Sequence, residues 1–513
     1  MLFSACHSSY RILPFESSLF KWGPDITPSL KGLILSCTLI FLWLCHGNAQ
    51  AESAEPSARD DGYDLMQYLA DKGLHDIHHE RWNLYGQMTF INSWKSAFPA
   101  QYTNFNDSGN SLLPGQERSF TGTATLYFGA KLWNGGEFYF APEVISERAL
   151  SGLKGLGSVI QNFELQKSGT QEPSYYVSRM FFKHTWGFGG SEQTVVSDPM
   201  QLGTTEDSRR FVLRAGNFSI LDFFDKNSYS GDLRRQFNNM AFLSYAAYDF
   251  AADARGYSWG VVAEFDYDNW SYKFGHMLAP RNPNQLALDI EPFKYFGQQI
   301  EVEHRHVLLD DQPGAIRILG YRNQENMGSF SDAIAAFNTN PADNATACTG
   351  FNYGSNNASA PDLCWARKMN VKMGIGLNLE QQLFDDVGLF FRGMYSDGKT
   401  EVYSYTSTDQ SISLGSLIKG TRWGRRKDTV GIGYAQGWLS KSHIQYLSMG
   451  GIDGFIGDGK ITYSPEQVVD IFYSYNVWNT IWLTADYQHI ANPAYNAARG
   501  PVDIFGARIH VEF

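Results

Sequence analysis

Between Phe218 and Arg255 the sequence concentrates side chains able to bind a polar solute. Asp222, Asp225, Arg234 and Arg235 stand among Phe223, Phe224, Tyr229 and Phe237. Carboxylates and guanidinium groups exchange hydrogen bonds with hydroxyls, and aromatic rings stack on apolar C–H faces. The same set also reads as a packed loop whose ion pairs hold it against a wall, and both readings stand at this level. Bond-making chemistry is sparser. Glu143 and Glu147 are a carboxylate pair, but no serine elbow, zincin helix or phosphate loop accompanies them, so the chain does not read as an enzyme. His75, His78 and His79 with Glu80 (HDIHHE) mimic metal spacing, yet they fall between a helix and a strand, and neither metal nor other cofactor is expected.

The elements that must position such groups show in a period of two. In the final DIFGARIHVEF, Phe505, Ala507, Ile509, Val511 and Phe513 share one face, while Gly506, Arg508, His510 and Glu512 share the other. Val371, Met373, Ile375, Leu377 and Leu379 alternate in the same way with Lys372, Asn378 and Glu380, as do Ile481, Leu483 and Ala485 with Trp482, Thr484 and Asp486. Lipid outside and water inside demand this pattern, because only a closed barrel satisfies every backbone group within a bilayer. By alternation Glu143, Arg179, Arg214, Glu301, Glu303, Arg317, Lys372, Arg392, Asp486 and Arg508 point inward, a mixture of signs that argues against strong ion selectivity. Trp482 points inward too and reads as a stacking site or a rim aromatic.

Sixteen such segments fit between residues 82 and 513, an even number, as a single-chain bacterial barrel requires. The predicted strands are 82–94, 120–132, 137–147, 174–188, 210–217, 256–267, 270–279, 296–308, 314–323, 369–382, 388–397, 411–424, 429–438, 466–476, 481–489 and 503–513. Short turns alternate with long connections such as 95–119, 148–173, 218–255, 324–368 and 439–465, which suits one periplasmic and one extracellular rim. The 189–209 connection is the exception, long where the scheme requires a short turn.

The N-terminus predicts export. Lys31 precedes a mostly apolar run, Gly32–Cys45, and Ala49-Gln50-Ala51 follows it as a cleavage triplet. Fourteen helical residues span about 21 Å, short of the roughly 30 Å hydrocarbon core, so a cleaved signal peptide over 1–51 is expected rather than an anchor. Residues 52–80 then form a periplasmic segment with a short helix over Tyr63–Lys72 stopped by Gly73, and 81–513 form the barrel. Cys348 and Cys364 remain in the mature chain, bracketing a Gly/Asn/Ser/Pro-rich stretch, and are expected to form a disulfide in an outer loop. A formal charge of −12 argues against a nucleic-acid partner. Aromatics at 15% and 49 glycines suit an all-β protein rich in turns.

One stretch resembles a known family. Gly216-Asn217-Phe218-Ser219, Asp222-Phe223-Phe224-Asp225, Asn227-Ser228-Tyr229, Arg235-Gln236-Phe237 and Ala251-Ala252-Asp253-Ala254-Arg255-Gly256-Tyr257 are similar to motifs of the carbohydrate-selective porins of the OprB type. The Trp-Gly-Gly run expected beside the first helix of that family is missing here. The resemblance implies a sixteen-stranded outer-membrane barrel with a constricted, water-filled pore for passive diffusion of mono- or oligosaccharides. The residues expected at the constriction are Asp222, Asp225, Arg234, Arg235, Arg179, Arg214, Arg317, Glu143 and Trp482. Expected partners are sugar solutes, outer-membrane lipid and lipopolysaccharide, and the barrel-assembly machinery, which would read Phe513. A homotrimer is a further expectation. A porin for a carboxylate or amino acid, or an outer-membrane barrel enzyme, are the alternatives.

Overall fold

The computed structural model describes residues 64–309, 311–341 and 357–513. The signal segment 1–51 and Cys348 lie outside the described residues. Sixteen strands, from Trp82–Lys95 to Val502–Glu512, close into one antiparallel barrel. The first strand pairs with the last, Gln87 opposite Glu512 through Lys95 opposite Ile504, so the barrel has no free sheet edge at its seam.

The predicted strands fall on the observed ones, with shifts at their ends. Gln312–Gly328 and Arg367–Phe384 run longer than expected because they stay paired to Gly328 opposite Arg367, well beyond the alternating core. The segment predicted as 411–424 stops at Gly420, where Thr421–Trp423 turns and Gly424 takes a left-handed φ of 76°. The ladder between the third and fourth strands slips between Ala141 and Pro142, where proline offers no N–H.

Alternation has the cause the sequence suggests. In the last strand Phe505 and Ile509 are exposed on the outer surface, whereas Arg508 and His510 are buried against the lumen contents. Among the described residues no helix is long and apolar enough to cross a membrane.

The long 188–208 connection holds a hairpin of its own, Glu192–Val195 paired with Thr204–Asp207. It clasps the N-terminal segment through Glu80, whose N–H donates to the Gly203 carbonyl at 2.9 Å and whose carboxylate accepts from the Gly203 N–H at 2.7 Å. Ser197 and Asn83 donate to the same carboxylate at 2.7 and 3.0 Å, and His75 bonds it at 3.0 Å. Glu80 is thus a clasp for two chain segments. The short helix Asp64–Asp71 buries Met66 against the inward faces of Tyr85, Tyr127 and Ala141.

Candidate functional site: the obstructed lumen

The fifth barrel strand, Arg209–Phe218, ends with the chain turning off the wall into the lumen. A capping box fixes the turn, with the Ser219 N–H donating to Asp222 at 3.2 Å. Phe218, Phe223 and Phe181 pack edge to face there, with centroids 5.2 to 5.8 Å apart. Beyond the turn, the segment crosses to walls distant in sequence. Asp225 pairs with Arg392 at 3.0 Å, and the Ser228 N–H donates to Glu380 at 2.6 Å. Asn239 donates to Gln488 at 2.9 Å, and Asp249 pairs with Lys372 at 3.2 Å. Phe237 packs on Phe390 and Phe472 at 5.6 and 5.0 Å. Such buried ion pairs fix geometry more surely than they add stability, since desolvation offsets much of their attraction.

A second segment, 149–173, also folds inward. Buried Glu466 accepts from the N–H groups of Gly157 at 3.1 Å, Ser158 at 2.6 Å and Ala494 at 2.7 Å. Glu164 accepts from Thr123 at 2.9 Å, and Asn162 donates to Thr121 at 2.9 Å. Lys167 reaches Glu143 at 3.4 Å. Sequence reasoning treated this stretch only as a long outer loop.

What remains of the lumen is a chain of cavities. Toward the extracellular loops lies one of about 230 Å³, lined by Lys167, Arg179, Arg255, Tyr257 and Tyr405 among others. Toward the short turns lie two larger ones, of about 630 and 750 Å³. Arg179, Asp222, Lys226, Gly231, Asp232 and Arg234 line both the 230 Å³ and the 630 Å³ cavities, and so ring the boundary between them. Asp232, Arg235, Arg305 and Arg317 link the two larger cavities.

At the ring Arg179 holds Asp222 in a bidentate pair, Nε at 2.8 Å and Nη2 at 2.6 Å. Arg234 reaches Glu143 at 3.3 Å and Glu164 at 3.5 Å and donates to Tyr127 at 3.0 Å. Both of those carboxylates are fully buried, so the cations stand between them and the passage. Arg235 bridges Asp232 at 3.2 Å and Glu512 at 3.5 Å and covers the Trp482 ring at 4.9 Å. Lys226, which sequence reasoning did not single out, is exposed to the passage.

The remaining predicted residues spread along the wall. Arg214 pairs with Glu264 at 2.7 Å and lies over Phe223 at 4.5 Å. Arg317 pairs with Glu303 at 2.8 Å and Glu380 at 3.3 Å beside the 750 Å³ cavity. Asp225 is buried with Arg392, and Glu143 is buried behind Arg234 and Lys167. Asp486 and Arg508 are buried where the wall meets the inward segment, with Arg508 donating to the Leu233 carbonyl at 2.8 Å. Cys364 is disulfide-bonded, at the foot of the 357–366 loop.

Residues 109–513 match the family model described as "Carbohydrate-selective porin, OprB family". No curated protein matches the sequence. The structure is similar to OprB of Pseudomonas putida in its high-pH form, with a TM-score of 0.60 and 14% identity over 90% of this chain and 100% of that one. It is also similar to the outer-membrane channel DcaP of Acinetobacter baumannii, with a TM-score of 0.43 and 9% identity over 84% of this chain and 97% of that one.

Proposed function

The chain belongs to the carbohydrate-selective porin (OprB) family, and from that premise we propose how sugars pass through it. It is an outer-membrane barrel that lets sugars diffuse through its lumen. In our reading the selective step is the ring between the 230 and 630 Å³ cavities, and the observation that carries it is the shared lining of Arg179, Asp222, Lys226, Asp232 and Arg234. A sugar leaving the outer cavity would exchange water for the guanidinium and carboxylate groups of that ring, while the Tyr257 ring backs Arg179 and Lys167 at 5.4 and 5.8 Å. Asp225 and Glu143 would act from behind, holding the inward segment and Arg234 in place. Arg235 and Trp482 would form the next contact on the periplasmic side.

A second reading concerns acidic sugars or other carboxylates. Lys167, Arg179, Lys226, Arg234 and Arg255 line the outer cavity, against Asp222 and Asp232 alone, and Glu143 and Glu164 lie behind the cations. Charge held in a narrow, weakly screened space favours the opposite sign. Planar-bilayer conductance with a panel of neutral and acidic sugars tests both readings. Sugar-dependent current block supports the ring as a solute site, and its absence for every sugar counts against it. A reversal potential favouring anions supports the second reading, and one at zero counts against it. Lipopolysaccharide around the rim and a homotrimer remain part of this proposal.

A further inference from the structure

The extracellular end of the wall carries a break in its ladder. Strand Ser174–Gly187 pairs with Arg209–Phe218 only from Met180 opposite Asn217 to Gly187 opposite Arg210, because the chain leaves the wall at Phe218. Among the described residues no strand pairs with Ser174–Arg179 on that side. The Asn217 side chain stands in for part of one, donating to the carbonyls of Val177 at 3.3 Å and Ser178 at 3.1 Å.

Beside this break lies a cavity of about 470 Å³. Its outer side is apolar, built by Val177, Met180, Trp259 and Leu278 of the wall with Leu286 and Ile290 of the 279–295 loop. Ile290 is 80% exposed, Leu286 49% and Trp259 46%, a large apolar surface where an outer loop meets the wall. Its inner end is polar, with Asn217, Asp253, Arg255 and Tyr257. Arg255 and Tyr257 also line the 230 Å³ cavity, so these two side chains partition the lumen from the surroundings of the barrel.

We propose that this notch is a lipid site that takes one acyl chain of an outer-leaflet lipid. The notch opens onto the same outer surface as the lipid-facing Trp259 and Val261, so it is continuous with an interface the barrel must have. The polar inner end, Asn217, Asp253, Arg255 and Tyr257, marks how far an apolar chain can enter from the bilayer. The volume of the notch falls within the roughly 300–1,000 Å³ of ligand pockets. The Asn217 side chain already meets the Val177 and Ser178 carbonyls of the unpaired edge, so an occupant of the outer side need supply only apolar contact. With the chain seated, the wall is sealed beside the sugar passage.

The test uses the full barrel in vesicles of phosphatidylglycerol and phosphatidylethanolamine with a diazirine on one acyl chain. After irradiation, peptide mass spectrometry should find several-fold more label on peptides carrying Trp259 and residues 286–290 than on Phe505 and Ile509 of the last strand. Leu288, also in the notch lining, lies outside the barrel strands, and Leu288→Asp should remove that excess while labelling of Phe505 and Ile509 and heat-modifiable migration stay unchanged. Uniform labelling around the barrel, or an excess indifferent to Leu288→Asp, overturns the proposal. Sugar block on the same samples is a separate readout, so a failure of the sugar-ring reading leaves this result intact.

Discussion

Gly86 and Phe513 exchange two backbone hydrogen bonds across the barrel seam. The Gly86 N–H donates to the Phe513 carbonyl at 2.7 Å, and the Phe513 N–H donates to the Gly86 carbonyl at 3.0 Å. A Cβ at position 86 would meet the Phe513 ring, so glycine lets the terminal aromatic lie on the first strand and a larger residue must push that ring aside. Gly86→Val is therefore expected to impair closure, and deletion of Phe513 to impair assembly while export across the inner membrane continues. Outer-membrane yield and heat-modifiable migration measure both. Normal values for the two variants would detach the terminal residue from assembly.

The Asp225–Arg392 pair ties the inward segment to the opposite wall, with both side chains buried. Arg392→Ala leaves a buried carboxylate uncompensated and is expected to cost about 3–5 kcal/mol. The accompanying Asp225→Asn change should recover part of that loss. Denaturant unfolding gives the energies, and single-channel current should become noisier as the segment loosens. Quiet, unchanged current in Arg392→Ala would show that other contacts suffice.

Arg234 and Arg235 border the passage, whereas Lys441 sits exposed on the outer 439–465 connection. Replacing both arginines by alanine should weaken sugar block by about tenfold, corresponding to the roughly 1.5 kcal/mol of a hydrogen bond to a charged group. It should also shift ion preference away from anions. Lys441→Ala should change neither. Equal effects in the two sets would move the constriction to wall arginines outside the ring, such as Arg214 and Arg317.

Cys364 is disulfide-bonded, and Cys348 is the expected partner. Peptide mapping without reduction should recover the two in one linked species. Recovery of Cys348 as a free thiol would contradict that pairing.

His443 lies between Asp409 at 3.1 Å and Asp453 at 3.3 Å, all three fully buried beneath the outer loops. Burial pushes the Asp453 carboxyl up to about 7, with Glu401 and Asp409 adding to the effect and His443 and Lys372 opposing it. An acid raised in the folded state takes up a proton on folding between its ordinary value of about 3.9 and the raised one. Its contribution is complete below the ordinary value and is lost as pH rises to about 7. Hydrogen exchange over 441–459, corrected for intrinsic rate, should therefore quicken as pH climbs through that window. Asp453→Asn should flatten the dependence, and a variant that keeps the full slope would exonerate Asp453.

The barrel was legible because two solvents impose one rule on every strand: Arg508 and Phe505 differ in face, and their spacing alone says so. The 218–255 segment was legible too, from its mixture of charge and aromatic residues directly after a strand. The 149–173 segment was not. Its anchor, Glu466, lies some three hundred residues away and is met by backbone N–H groups of Gly157 and Ser158, which leave no trace in residue type. Lys226 escaped notice for a related reason, since only the path of the folded chain distinguishes a lysine in the passage from one on an ordinary loop. The hairpin within 188–208 was visible only as excess length, because its role depends on Glu80 more than a hundred residues earlier.

The wall-to-wall course of the inward segment also bears on how the barrel responds to force. A hollow hoop of strands can flatten into an ellipse by small changes of twist between neighbours. Here Asp225 to Arg392, Asp249 to Lys372 and the Phe237 ring to Phe472 act as spokes joined at one hub. Pulling those walls away from the inward segment must break a buried ion pair or unpack a ring. A hoop braced in this way should change its aperture less under lateral pressure in the bilayer than an unbraced one.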